Sequence, residues 1–260
     1  AMAGAMGGSK SEEFLATAEN GEDTYVRCEH CGYAANVEAV RVPAPAPVAA
    51  DVLAGMPPAQ VIDTPGTPTI ESLVDFLNSA HPRADRPWGA GDTLKNVVVM
   101  LSYPDGRREP LVVGVPGDRE VDEKRLAAQV EPAVAVPFTD SEFAAYPGLV
   151  RGYIGPQALG ADPERASATG IRYLTDPRVS EGTAWVTGAN LNGKHVLGLV
   201  AGRDFSSDGT IEAAEVKVGD PCPSCGQGEG LQAARGIEMG HIFQLGTKYA
   251  QALDLKVLDE

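Results

Sequence analysis

Residues 94–116 read LKNVVVMLSYPDGRREPLVVGVP. Two runs rich in valine, 94–103 and 110–116, flank the turn residues PDGR at 104–107. β-Branched runs joined by an Asp-Gly turn predict an antiparallel hairpin of two buried strands. Upstream, TPGTPTIESLVDFLNSA (64–80) has Thr69 as a cap, then Ile70, Leu73, Val74 and Leu77 at helical spacing. Downstream, 119–130 suits a short amphipathic helix. Thr139 with Glu142 forms a capping box that opens another. A glycine-rich loop (148–160) follows, then strands at 171–179, 182–188 and 195–205 with a turn at 188–195. Helices mixed with a hairpin predict an α+β domain over about 60–215, a mixed sheet surrounded by helices. Residues 42–58, rich in Ala and Pro, read as an extended linker.

The length allows one sizeable domain or two small ones. Apolar content of 43% is ordinary for a globule, and no apolar run reaches membrane-spanning length. The net charge of −15 argues against broad, nonspecific binding of nucleic acid. A nucleic-acid partner must meet a local basic patch or be held by another part of a larger protein.

The four cysteines form two Cys-x-x-Cys-Gly knuckles, Cys28/Cys31 and Cys222/Cys225. Each glycine permits the tight turn that aims two thiols at one metal, and two such turns complete a tetrahedral zinc site. Two disulfides fit less well, because a bridge inside one knuckle closes too small a loop to stabilise much. A redox pair also fits less well than a closed structural site. A closed site has no open coordination position, so the metal is not expected to catalyse. The segment between the knuckles has the length of a domain, which predicts an insertion whose ends the metal joins.

No nucleophile motif stands out. Lys95 lies inside an apolar strand, where it either snorkels outward or serves an anionic ligand. His195 is either an ordinary polar residue at a strand start or a site residue. The GYIGP loop (152–156) offers backbone amides around Gly152 and Gly155 to a polarised oxygen.

The segment RGIEMGHIFQLGTKYAQAL (235–253) closely resembles a signature of the bacterial-type prolyl-tRNA synthetases. GGSKSEEF (7–14) and YAANVE (33–38) resemble the stretch after the second class II motif. DTPGTPTIESL, LKNVVV, GYIGP and GANLNGKH resemble, in the same order, the editing domain inserted in those enzymes. The resemblance implies catalytic-domain flanks at 1–48 and 219–260, each with half of the zinc site, around an editing domain at 49–218. It implies hydrolysis of alanine wrongly attached to tRNA(Pro), by a water that the substrate's own ribose hydroxyl assists. Gly152, Tyr153, Ile154, Gly155 and Pro156 would hold the aminoacyl end. Lys95 would meet a phosphate near the terminal adenosine. His195 and Asp176 would complete the catalytic set, and Thr64, Ile70 and Leu73 would limit pocket size. Tyr153 is bulkier than the small residue of the family's loop, and a few extra residues precede Asp176.

The first and third class II motifs are absent, so proline activation with ATP and Mg2+ is expected only of the parent enzyme. His241 and Gln244 would belong to the parent's proline site. The resemblance further implies a cytoplasmic location, a homodimeric parent, and the tRNA(Pro) acceptor end and the rest of the synthetase as partners. The alternative is a non-catalytic, zinc-stapled module that recognises the acceptor end.

Overall fold

The computed structural model describes residues 10–46, 48–161 and 167–256. In chain order these form β1 (Lys10–Thr17), β2 (Asp23–Arg27), β3 (Ala34–Asn36), α1 (Ala50–Gly55), β4 (Gln60–Asp63) and α2 (Ile70–Ala80). Next come β5 (Leu94–Ser102), β6 (Arg108–Pro116), α3 (Glu123–Val130), β7 (Val134–Pro137), α4 (Asp140–Ala145) and β8 (Arg172–Thr175). The chain continues with β9 (Ala184–Gly188), β10 (Lys194–Val200), β11 (Gly209–Thr210), β12 (Gln232–Gln244) and α5 (Lys248–Ala252).

Two compact units result, one from Ala1–Arg41 with Val216–Glu260, the other from Val42–Glu215. The first holds a four-stranded sheet in the order β1-β12-β2-β3. Its core gathers Val26, Val40 and Leu231 around Cys28 and Cys222.

The second unit is α+β, but its strands make two sheets and its helices are few. A five-stranded sheet runs β11-β8-β6-β5-β7, and a three-stranded sheet runs β4-β10-β9. The β5/β6 hairpin pairs antiparallel from Leu94↔Pro116 to Ser102↔Arg108, while β8 lies parallel to β6. Alternate residues of β5 serve different cores. Val98 and Met100 join Trp185, Val196 and Leu199 of the other sheet, whereas Val99 and Leu101 join Leu126 of α3. A strand covered on both faces needs no polar alternation, which is why 94–103 reads as an unbroken apolar run. On the three-stranded sheet, Leu73 and Leu77 of α2 pack against Val186 of β9. Burying each such leucine contributes roughly 2 kcal/mol.

The caps form as the sequence dictates. Thr69 accepts from the Ser72 amide at the start of α2, and Thr139 and Glu142 exchange bonds at α4. Helix α3 begins at its Asp122 cap, later than the pattern at 119–130. Strand β4 and edge strand β7 have too few residues for a period to show, and the linker at 42–58 contains the short helix α1. Arg125 of α3 is fully buried, and its Nη2 donates to Glu212 Oε2 at 2.9 Å. The same carboxylate accepts from the Val42 amide at 3.0 and 3.2 Å, tying the unit's first residue to its last segment. Among the described residues no helix is long and apolar enough to cross a membrane.

Candidate active site

The GYIGP loop is held by the turn after β9. Asn190 donates its amide to the Tyr153 carbonyl at 2.8 Å. Its side chain spans Gly155, accepting from the Gly155 amide and donating to the Gly155 carbonyl, both at 3.0 Å. Asn190 itself adopts φ 54°, a left-handed conformation that asparagine tolerates. The loop and turn approach so closely that a β-carbon on Gly155 would lie 1.8 Å from the Gly188 carbonyl oxygen. One on Gly188 would lie 2.1 Å from the Tyr153 carbonyl. Both glycines are therefore required for lack of space. Gly152 is required for conformation, with φ +83°.

A cavity of about 230 Å³ opens between this loop, α2, β5, β9 and β10. Ile70, Leu73, Leu94 and Val186 give it an apolar side. Lys95, Asn96, Gly152, Ile154, Thr187 and His195 bring polar groups to it. The Gly155 amide is engaged by Asn190 and the Tyr153 amide donates to Val150 O at 2.8 Å. Among the described residues the amides of Gly152 and Ile154 have no hydrogen-bond partner, and both residues line the cavity, so of the two glycine amides read from sequence only that of Gly152 is uncommitted.

His195 is 5% exposed, and its Nδ1 lies 2.6 Å from Thr64 Oγ1. Burial lowers its pKa to about 4, so the ring is neutral at physiological pH. The Tyr153 ring packs against it with centroids 5.2 Å apart. This is where the bulk of Tyr153 goes: the residue is buried and does not line the cavity. Lys95 Nζ donates to Glu120 Oε1 at 2.7 Å.

The structure thus brings Lys95, Ile70, Leu73, Gly152, Ile154 and His195 to one cavity, with Thr64 behind His195. Pro156 opens a turn that borders a different cavity, of about 310 Å³, with Arg203 and Phe205. Asp176 lines neither cavity. It is fully buried, and its Oδ1 accepts from the Arg178 amide at 2.9 Å and from Arg178 Nη1 at 3.1 Å. Asn96, Thr187 and Asn190 escape the sequence reading, although a lone asparagine inside an apolar strand was the available signal for Asn96.

In the other unit the four thiols converge. All four sulfurs lie within 4.8 Å of one another, with Cys28–Cys225 at 3.8 Å and Cys31–Cys222 at 3.7 Å. Tetrahedral Zn–S arms of about 2.3 Å place sulfurs roughly 3.8 Å apart, so the spacing suits that metal. Gly32 and Gly226, at φ 75° and 61°, make the two turns. Burial opposes ionisation of Cys222, but amide hydrogens from Cys225 and Ser224, with the Cys31 and Cys28 thiols, lower its pKa below the ordinary thiol value. His241 and Gln244 lie on β12, where His241 stacks on Phe243 at 4.0 Å and pairs in register with Glu13.

Residues 64–205 match the model of the aminoacyl-tRNA editing domain. The proline–tRNA ligase of Cutibacterium acnes is 62% identical over 259 residues, all of this chain and 43% of the ligase. Those of a Nocardioides species and Kineococcus radiotolerans are 64% and 62% identical over the same shares. The chain therefore spans less than half the length of these relatives. It belongs to the aminoacyl-tRNA editing domain family, in the form that proline–tRNA ligases carry.

Proposed function

We propose that the cavity hydrolyses alanine esterified to the acceptor end of tRNA(Pro). The observation that carries this reading is the meeting of Lys95, Gly152, Ile154 and His195 around a small, half-apolar space lined by no serine or cysteine among the described residues. The lining threonines are engaged elsewhere, Thr187 with the Leu94 carbonyl and Thr69 with the cap of α2, which suits direct attack by water, assisted by the substrate's ribose hydroxyl. The Gly152 and Ile154 amides would hold the ester's carbonyl oxygen as charge develops on it. Lys95 would leave Glu120 for a phosphate near the terminal adenosine. His195, neutral and fixed by Thr64, would orient the acyl end or the water rather than give up a proton. Ile70 and Leu73 would limit the space to alanine, so that proline, too large to enter, escapes hydrolysis. Asp176 would act through Arg178 and the fold.

Cys28, Cys31, Cys222 and Cys225 would hold zinc, which would supply a structural crosslink. The whole ligase would attach proline to tRNA with ATP and Mg2+ as a cytoplasmic homodimer, His241 and Gln244 serving its proline site.

The test is hydrolysis of alanyl- and prolyl-tRNA(Pro), at high enzyme concentration because the chain's charge of −15 disfavours RNA binding. Loss of alanine only, abolished by Lys95→Ala with the fold intact, is the expected result. No hydrolysis by this chain or by the whole ligase would leave the non-catalytic, acceptor-end-binding module.

A further inference from the structure

Strand β8 carries Asp176 beyond its end, away from the cavity, yet the same strand reaches the cavity wall through another residue. The Tyr173 hydroxyl donates to Asn96 Oδ1 at 2.8 Å. Asn96 Nδ2 in turn donates to the Ile154 carbonyl at 2.9 Å and to Thr187 Oγ1 at 3.2 Å. The Thr187 hydroxyl donates to the Leu94 carbonyl at 3.0 Å. Leu94, Asn96, Ile154 and Thr187 all line the cavity. The fold makes room for this chain of bonds. A β-carbon on Gly114 would lie 2.4 Å from the Tyr173 hydroxyl, so β6 carries glycine where the phenol passes.

From this network we infer that Tyr173 and Asn96 are positioning residues that fix Ile154, and with it the amide-bearing loop, at the distance the reaction requires. Both amide hydrogens of Asn96 are committed, and its oxygen is oriented by Tyr173, so the side chain has one orientation. Tyr173 is fully buried, and burial raises its pKa, which keeps the phenol a donor. Ile154 joins the loop at its middle, between Gly152 and the Asn190 clasp on Gly155. Without the Asn96 bond, the carbonyl beside the cavity would lose its only side-chain restraint among the described residues.

The inference rests on the deacylase reading, and a double-mutant cycle tests it. Tyr173→Phe removes only the hydroxyl. It is expected to lower kcat for alanyl-tRNA(Pro) about tenfold or more while KM stays within about twofold, since misplacement affects the reacting atoms and not RNA binding. Asn96→Ala should do at least as much. The double variant should be no worse than Asn96→Ala alone, because the two residues act through one chain of bonds. Melting temperatures identify a variant that fails to fold. Multiplying effects, a change in KM alone, or an unchanged kcat in folded Tyr173→Phe would overturn the inference. If the unmutated protein hydrolyses nothing, the deacylase reading fails by itself. Amide exchange then decides the positioning role: Tyr173→Phe should speed exchange at Gly155, and unchanged exchange would overturn it.

Discussion

Replacing Gly155 by alanine tests whether the loop and the turn after β9 are interlocked. Gly155 has φ −120°, which alanine adopts freely, so the perturbation is steric and not conformational. The new β-carbon would sit 1.8 Å from the Gly188 carbonyl oxygen and 2.8 Å from Gln157 Oε1. The glutamine side chain can swing away, but the Gly188 backbone is part of β9. Restoring van der Waals contact requires the loop to withdraw by about 1.5 Å. That displacement breaks both Asn190 bonds to Gly155 and moves the Ile154 and Gly152 amides with it. Overpacking of this kind costs about 1–3 kcal/mol of stability, and a shift of that size at the reacting centre costs about a hundredfold in rate. Single-turnover hydrolysis of alanyl-tRNA(Pro), with thermal unfolding beside it, measures both. Gly106→Ala in the β5/β6 turn is the control, since Gly106 has φ +86° and open space around it. It should lose about 1–2 kcal/mol of stability with no change in rate. A Gly155→Ala protein that retains its rate within about threefold would refute the interlock and the geometry built on it.

His195 gives a pH signature. Its folded pKa of about 4 lies below the ordinary value of 6.5, so between these limits the unfolded chain binds the proton first. The stability linked to the neutral ring is whole above about pH 6.5 and is lost as pH falls toward about 4, amounting to at most ~3 kcal/mol. Urea unfolding at several pH values should show a slope that His195→Gln removes; identical slopes would contradict the buried neutral ring. The cysteine cluster should take up one zinc per chain, and Cys31→Ser should lower both zinc content and melting temperature while leaving the deacylation rate unchanged. Four thiols that react freely with a thiol reagent in the presence of zinc would rule that out.

By itself the sequence determined the features whose physics is local. The Asp-Gly turn between valine runs dictates the hairpin, the Thr69 and Thr139 caps start two helices, and glycine after each knuckle aims paired thiols. Each depends on residues a few positions apart. Only the tertiary structure decided how the cavity is built, because its bonds join distant segments: Asn96 reaches 58 positions to Ile154 and Tyr173 reaches 77 back to Asn96. It also decided that Asp176 turns from the cavity toward Arg178, and that Gly155 gives its amide to Asn190. It decided as well that His195 is buried deeply enough to stay neutral. Residue type and spacing carry no record of these outcomes, since burial and long-range hydrogen bonding exist only once the two sheets have closed on each other.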